Sequence, residues 1–127
     1  KELILPCPQG TIEQGKEAMQ KLLSLSNRPD GVFGTNDPVA MGAMQAIKEK
    51  GLGIPKDIAV VGFSNWFFTS LMDPPLTSVN QPGFEMGQEA AKLLIRQIET
   101  RAKEKVDPTP ETKVLKTHLI VRPSSKK

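Results

Sequence analysis

RPDGVFGTNDPVAMGAMQAIKEKGLGIPKDIAVVGFSN, residues 28–65, reads as a strand, a helix and a second strand in succession. Val32-Phe33-Gly34-Thr35 is a short run of strand-forming character after Pro29. Asn36-Asp37-Pro38 then opens a helix. Asp37 is expected at the N-cap and Pro38 at the first helical position, where a missing N–H leaves nothing unsatisfied. Val39, Ala40, Ala43, Met44 and Ile47 step by three and four residues into one apolar stripe, and Gly51 provides the stop. Ile58-Ala59-Val60-Val61-Gly62-Phe63 is almost continuously apolar, the pattern of a parallel strand buried on both faces.

The pattern extends outward on both sides. Leu3-Ile4-Leu5, halted by Pro6 and Pro8, is expected to be a further buried strand. Thr11 and Gln14 form a capping box ahead of a helix whose apolar face is Ala18, Met19, Leu22, Leu23 and Leu25. Residues 1–63 therefore alternate strand and helix. Such alternation implies an α/β fold with parallel strands and helical crossovers. Residues 64–82 look irregular. Phe84, Gly87, Ala91, Leu94 and Ile98 mark a third helix, a Pro-bearing connection covers residues 106–110, and residues 114–121 read as a last strand.

Composition excludes several classes. The 127 residues are 38% hydrophobic and 24% charged, with a net charge of +3, ordinary values for a globular chain. The densest basic stretch, residues 101–105, is broken by Glu104 and flanked by Glu99 and Asp107, so it is expected to be a solvated helix end and not a nucleic-acid patch. Lys126 and Lys127 are expected to form a frayed tail. Cys7 is the single cysteine, which fits a reducing, cytoplasmic compartment. No apolar run approaches a membrane span, residues 1–6 do not read as a signal peptide, and the abrupt start suggests a fragment.

Ligands of open parallel sheets bind beyond the carboxyl ends of the strands. There the strands become loops and the helices begin with unpaired N–H groups. That edge is expected to hold Pro8, Gln9 and Gly10 after the first strand, Thr35, Asn36 and Asp37 after the second, and Ser64, Asn65 and Trp66 after the third. Short hydrogen-bonding side chains beside one aromatic suit a sugar, which needs paired donors and acceptors and a flat apolar face. Asn36 and Asp37 also read as helix caps, and Trp66 as core or interface.

Enzyme motifs fail on inspection. Residues 10–16 match G-x-x-x-x-G-K, but Glu17 stands where a phosphate loop needs Ser or Thr. Residues 51–55 lack the third glycine of a dinucleotide fingerprint. One histidine, His118, and one cysteine make a zinc site unexpected, and no G-x-S-x-G elbow occurs. The expectation is a protein without catalysis, metal or cofactor.

The quoted stretch, with DPPLTSVNQP (residues 73–82), GQEAAKLLIRQI (residues 87–98) and THLIVRPSS (residues 117–125), resembles the lactose-repressor (LacI/GalR) family. The resemblance covers nearly the whole chain and is weakest over residues 1–15 and 99–113. It implies a parallel-sheet lobe of the type I periplasmic-binding-protein-like fold. Residues 1–82 would form the C-terminal lobe of an effector-binding domain. Residues 83–112 would be the helix and connection that return to an absent N-terminal lobe, and 113–127 the hinge crossing and final strand. No DNA-binding domain would be present. The implied function is effector sensing, the effector being a sugar or small metabolite, and dimerisation of a DNA-binding regulator. Operator DNA would be reached only through the missing head, and no membrane is involved. The alternative is a periplasmic sugar-binding protein.

By position in the family pattern, Asn36 would contact the effector and Gln81 would face the cleft from the hinge. Ser64, followed by Asn65, replaces the family's usual Asp, and Gly10 stands where many relatives carry an aromatic, a loss that Trp66 would make good. The resemblance implies a homodimer surface with Met41, Met44, Leu71 and Met72 as apolar candidates; Met44 reads equally as core. The stripe from Phe84 to Ile98 is expected to pack on a neighbouring chain.

Overall fold

Thr11 starts the first helix, α1 (Ile12–Leu23), its hydroxyl accepting the Gln14 N–H at 3.3 Å. The reciprocal half of the capping box is displaced by two residues. Gln14 reaches past Thr11 to Gln9, accepting its N–H at 2.9 Å and donating to its side-chain oxygen at 3.0 Å. The computed structural model describes residues 3–105, 107 and 109–126 of the chain. Val106 and Pro108 of the expected connection, and Lys127 of the expected tail, lie outside the described residues.

The elements after α1 are β1 (Gly31–Phe33), α2 (Asp37–Glu49), β2 (Ala59–Ser64), β3 (Thr77–Asn80), α3 (Gly83–Glu104) and β4 (His118–Ile120). Single 3-10 turns occupy Phe67–Ser70 and Pro123–Ser125. One sheet has the order β1-β2-β3-β4. The first three strands are parallel, with Phe33 opposite Val61 and Ser64 opposite Asn80. β4 returns antiparallel, with His118 opposite Asn80. The α/β class with a parallel-dominated sheet is as the sequence implies.

Four local expectations need correction. Residues 3–5 form no strand; Leu3 and Ile4 are exposed and only Leu5 packs on the core. Pro6 and Pro8 lack the N–H groups that a ladder requires there. β3 lies inside the stretch read as irregular. The final strand is three residues long and antiparallel. β2 is fully buried on one face only: Val60 and Gly62 lie under α2, while Ala59, Val61 and Phe63 are half-buried.

The core joins Met19 and Leu22 of α1, Ala40, Ala43, Met44, Ala46 and Ile47 of α2, and Ile58, Val60 and Leu76. α1 and α2 approach so closely that a Cβ on Gly42 would collide with the Ile12 carbonyl oxygen. Burying a side chain such as Ile47, which has no exposed surface, contributes about 2 kcal/mol.

The chain divides into two compact units. One holds the residues up to Asn80 and those from His118 onward, and the other spans Gln81 to Thr117. The second unit is built on α3, whose Glu89 pairs with Lys92 at 2.9 Å and with Lys113 at 3.3 Å. Arg96 pairs with Glu111 in the same unit.

Candidate functional site

In the first unit, the carboxyl ends of β1, β2 and β3 and the start of α2 meet around one buried carboxylate. Asn36, not Asp37, caps α2: its Oδ1 accepts the Val39 N–H at 2.8 Å. Asp37 therefore occupies the first helical position, and Pro38 the second. Asn36 also donates from Nδ2 to the Gly10 carbonyl at 3.0 Å. Gly10 is held with φ +63° by its own N–H bond to the Cys7 carbonyl, 3.0 Å away, and a Cβ there would strike the Asn36 amide. The one pairing thus fixes both residues. It leaves Asn36 half-buried, with one N–H and one oxygen lone pair unused.

Asp37, expected at the ligand edge, is turned inward. It has no exposed surface, and its oxygens accept the Ser78 hydroxyl at 2.6 Å and the Trp66 N–H at 2.7 Å. A carboxylate is expensive to bury unless it is hydrogen-bonded. Here it has two donors, and it sits in the first turn of a helix, where the dipole favours negative charge. Its place exists because residue 62 is glycine: a Cβ would overlap Asp37 Oδ1. Asp37 thus ties α2 to β3 and to the turn after β2.

That turn is unusual in its backbone. Ser64 has φ 107° and Asn65 φ 52°, both in the region that favours glycine. Asn tolerates this conformation better than most residues. Asn65 is held through its backbone N–H and both side-chain polar atoms. Its N–H donates to Ser78 Oγ at 3.0 Å, and its Nδ2 donates to Asn80 Oδ1 at 2.8 Å. Its Oδ1 accepts from Arg122 Nη2 at 2.8 Å. The side chain expected to contact a ligand is here an internal tie between β3 and Arg122.

Ser64 is half-buried at the end of β2. Trp66 beside it is 53% exposed, so it is not core. Its ring meets Phe68 edge-on, with centroids 5.7 Å apart, and Phe68 meets the exposed Phe67 likewise at 5.8 Å. Gly10 thus meets Asn36, and the turn that carries Ser64 and Trp66 is tied to the adjacent Asp37. Gln81 opens the second unit, where it lines a hollow with Pro82, Met86, Glu89, Lys113 and Leu115.

Sequence reading missed Ser78, Asn80, Thr69 and Arg122. Small polar residues at positions 78 and 80, one apart on a buried strand, were the available signal. Among the apolar dimer candidates, Met44 is 3% exposed and belongs to the core, the second of its two expected places. Its position in α2 points it at the sheet as well as at a shallow hollow it shares with Met41, Met72, Lys48 and Asp73. Met41 is exposed, Met72 half-buried and Leu71 exposed. Among the described residues no group of three or more His, Cys, Asp or Glu is placed to hold a metal ion, and no helix is long and apolar enough to cross a membrane.

The family model for the periplasmic binding protein-like domain matches residues 3–125. The HTH-type transcriptional repressor CytR of Escherichia coli (strain K12) is 44% identical over 89 residues, 70% of this chain and 26% of that protein. The HTH-type transcriptional repressor PurR of Mannheimia succiniciproducens is 38% identical over 115 residues, 91% of this chain and 33% of the repressor. The chain thus spans about a quarter to a third of the length of these curated relatives. Among solved structures, the transcriptional regulator CelR in complex with cellobiose superposes with a TM-score of 0.79 at 36% identity, covering 91% of this chain and 34% of CelR.

Proposed function

The chain belongs to the periplasmic binding protein-like domain family, its relatives being LacI-family repressors, and from that premise we propose that it senses the effector of such a repressor. The rim of Gly10, Asn36, Ser64 and Trp66 is one wall of a small-molecule clamp. Gln81 contributes from the hinge. The observation that carries the reading is the convergence on Asp37, which accepts the Trp66 N–H at 2.7 Å and so anchors the turn that bears Ser64 and the exposed Trp66. Asn36 offers a donor and an acceptor to one hydroxyl pair, and Trp66 offers a flat apolar surface to a C–H face. The effector is a sugar or a close derivative; CelR, a relative in structure, is a cellobiose complex.

On this reading residues 1–82 form a lobe, 83–112 the helix and connection to a second lobe, and 113–127 the hinge crossing and last strand. The full-length protein works in the cytoplasm as a homodimer and contacts operator DNA through a helix-turn-helix outside these residues. It is not an enzyme. Effector binding closes the two lobes and changes the spacing of the DNA-binding heads. The coupling is reciprocal, so operator DNA weakens an inducer by the factor by which the inducer weakens DNA binding. Met41, Leu71 and Met72 lie on the dimer surface.

A thermal-shift panel of neutral and phosphorylated sugars, cellobiose included, on the full-length protein tests the sensing role. At least one sugar is expected to raise Tm, and Trp66→Ala is expected to weaken its binding. A panel without any shift overturns the sugar reading, and undiminished binding by the variant removes Trp66 from the site. Sedimentation of Met41→Asp/Met72→Asp tests the dimer: an unchanged mass refutes that surface.

A further inference from the structure

We infer that Asn65 and Arg122 are positioning residues that hold the left-handed turn after β2 and so set how Trp66 is presented. The functional weight of this inference rests on the reading of the rim as an effector wall; the tie itself stands on its own geometry.

Ser64 and Asn65 are not glycines, and a turn at φ 107° and 52° relaxes unless something opposes it. Three side chains do so. Asp37 takes the Trp66 N–H, Ser78 takes the Asn65 N–H, and Asn80 takes the Asn65 amide. All three belong to α2 or β3. Arg122 is the exception, because it comes from the far end of the chain.

The Arg122 guanidinium donates to Asn65 Oδ1 at 2.8 Å, to the Leu76 carbonyl at 2.6 Å and to Thr69 Oγ1 at 3.2 Å. Thr69 in turn donates to the Trp66 carbonyl at 2.7 Å. One planar fork therefore grips both sides of the turn, Asn65 before Trp66 and Thr69 after it. Lysine, with a single ammonium, has no equivalent geometry.

Arg122 is itself fixed to the sheet. Its N–H donates to Thr77 Oγ1 at 2.7 Å, and its carbonyl accepts from the same hydroxyl at 2.8 Å. It follows β4 by two residues, and β4 is the first segment after the second unit. The backbone bonds of Arg122 to Thr77 therefore set where the guanidinium meets the turn.

The test is amide hydrogen exchange by NMR on the 127-residue chain, without any sugar, comparing the Trp66 and Asn65 amides with that of the core residue Ile47. Asn65→Gly keeps the backbone conformation easy and removes the side-chain bonds to Arg122 and Asn80. Arg122→Gln removes the fork. Loss of a charged hydrogen bond is expected to speed exchange at Trp66 by at least about tenfold in both variants, with Ile47 unchanged. The double variant falls short of the sum of the two single ones, because both remove the bond between Arg122 and Asn65. Arg122→Lys lies between wild type and Arg122→Gln, and it replaces Arg122→Gln if that variant does not fold. Trp66 exchange at the wild-type rate in Asn65→Gly overturns the inference, as does acceleration shared equally by Ile47, which marks a merely structural role. Since no effector is present, failure here leaves the sugar panel untouched, and failure of the panel leaves this result untouched.

Discussion

Two helices of this chain carry the same apolar step of three and four residues and end in opposite environments. α2 has 13 residues, of which eight are buried. α3 has 22 residues and none of those described is buried; Phe84, Leu94 and Ile98 are 80%, 58% and 59% exposed. The difference is not in helix-forming tendency. α2 lies over β2, where Gly62 leaves room for it and Val60 packs in the core beneath it, and Gly42 lets the backbone of α1 come close. α3 is maintained along its length by its own backbone bonds and by surface pairs such as Lys92 with Glu89. Periodicity therefore specifies that a stripe exists, whereas the cover comes from another element.

The largest expected effect follows directly. Ile47→Ala is expected to lower stability by about 2–5 kcal/mol, a buried truncation with its cavity, whereas Ile98→Ala changes it by less than about 0.5 kcal/mol. Urea midpoints of the two variants measure the contrast, and equal losses would erase the distinction between the helices. Next, Gly62→Ala forces a methyl against Asp37 Oδ1, with an expected cost of about 1–3 kcal/mol. A wild-type midpoint would mean that α2 can shift away from the sheet without penalty.

Asn36→Ala removes the α2 cap, a loss of about 1 kcal/mol, together with the bond to Gly10. Asn36→Asp keeps the acceptor for the Val39 N–H and loses only the donor to Gly10. Its midpoint should lie between those of wild type and Asn36→Ala, which separates the two contributions. The smallest effect concerns the second unit. Lys92 and Lys113 hold the Glu89 carboxyl below its ordinary value, through hydrogen bonds first and charge second. A depressed folded-state value means that the contribution is complete above the ordinary carboxylate range and fades as pH falls through the folded value. In an NMR titration the Glu89 carboxyl should titrate below the ordinary carboxylate value, and Lys92→Ala should move it only part of the way back, because Lys113 still pairs with it.

Much of this was legible in the primary structure, and the lapses have physical causes. The α2 stripe, the Thr11 cap and the β2 run were read from spacing, because local hydrogen bonding and burial on one face both depend on sequence neighbours. β3 escaped notice because Thr77 and Ser78 are fully buried yet polar. Their partners, Ser124, Arg122 and Asp37, are 41 to 47 residues away in sequence. The cap at α2 was assigned one residue late for a related reason. Asn and Asp are both good caps, and which one turns its side chain to the helix is settled by what else the other must hold. Asp37 is taken by Trp66 and Ser78, so Asn36 caps.

Alternating apolar runs, a proline-marked helix start and the order of the motifs established the α/β lobe and its family from the residues alone, since those signals act over a few positions or match a linear pattern. The rim was decided in three dimensions. Arg122 and Asn65 are 57 residues apart, and the turn that carries Trp66 takes its shape from that meeting and from Asp37 beneath it. Hydrogen bonds between distant segments depend on how the strands are ordered in the sheet, and no local periodicity encodes that order.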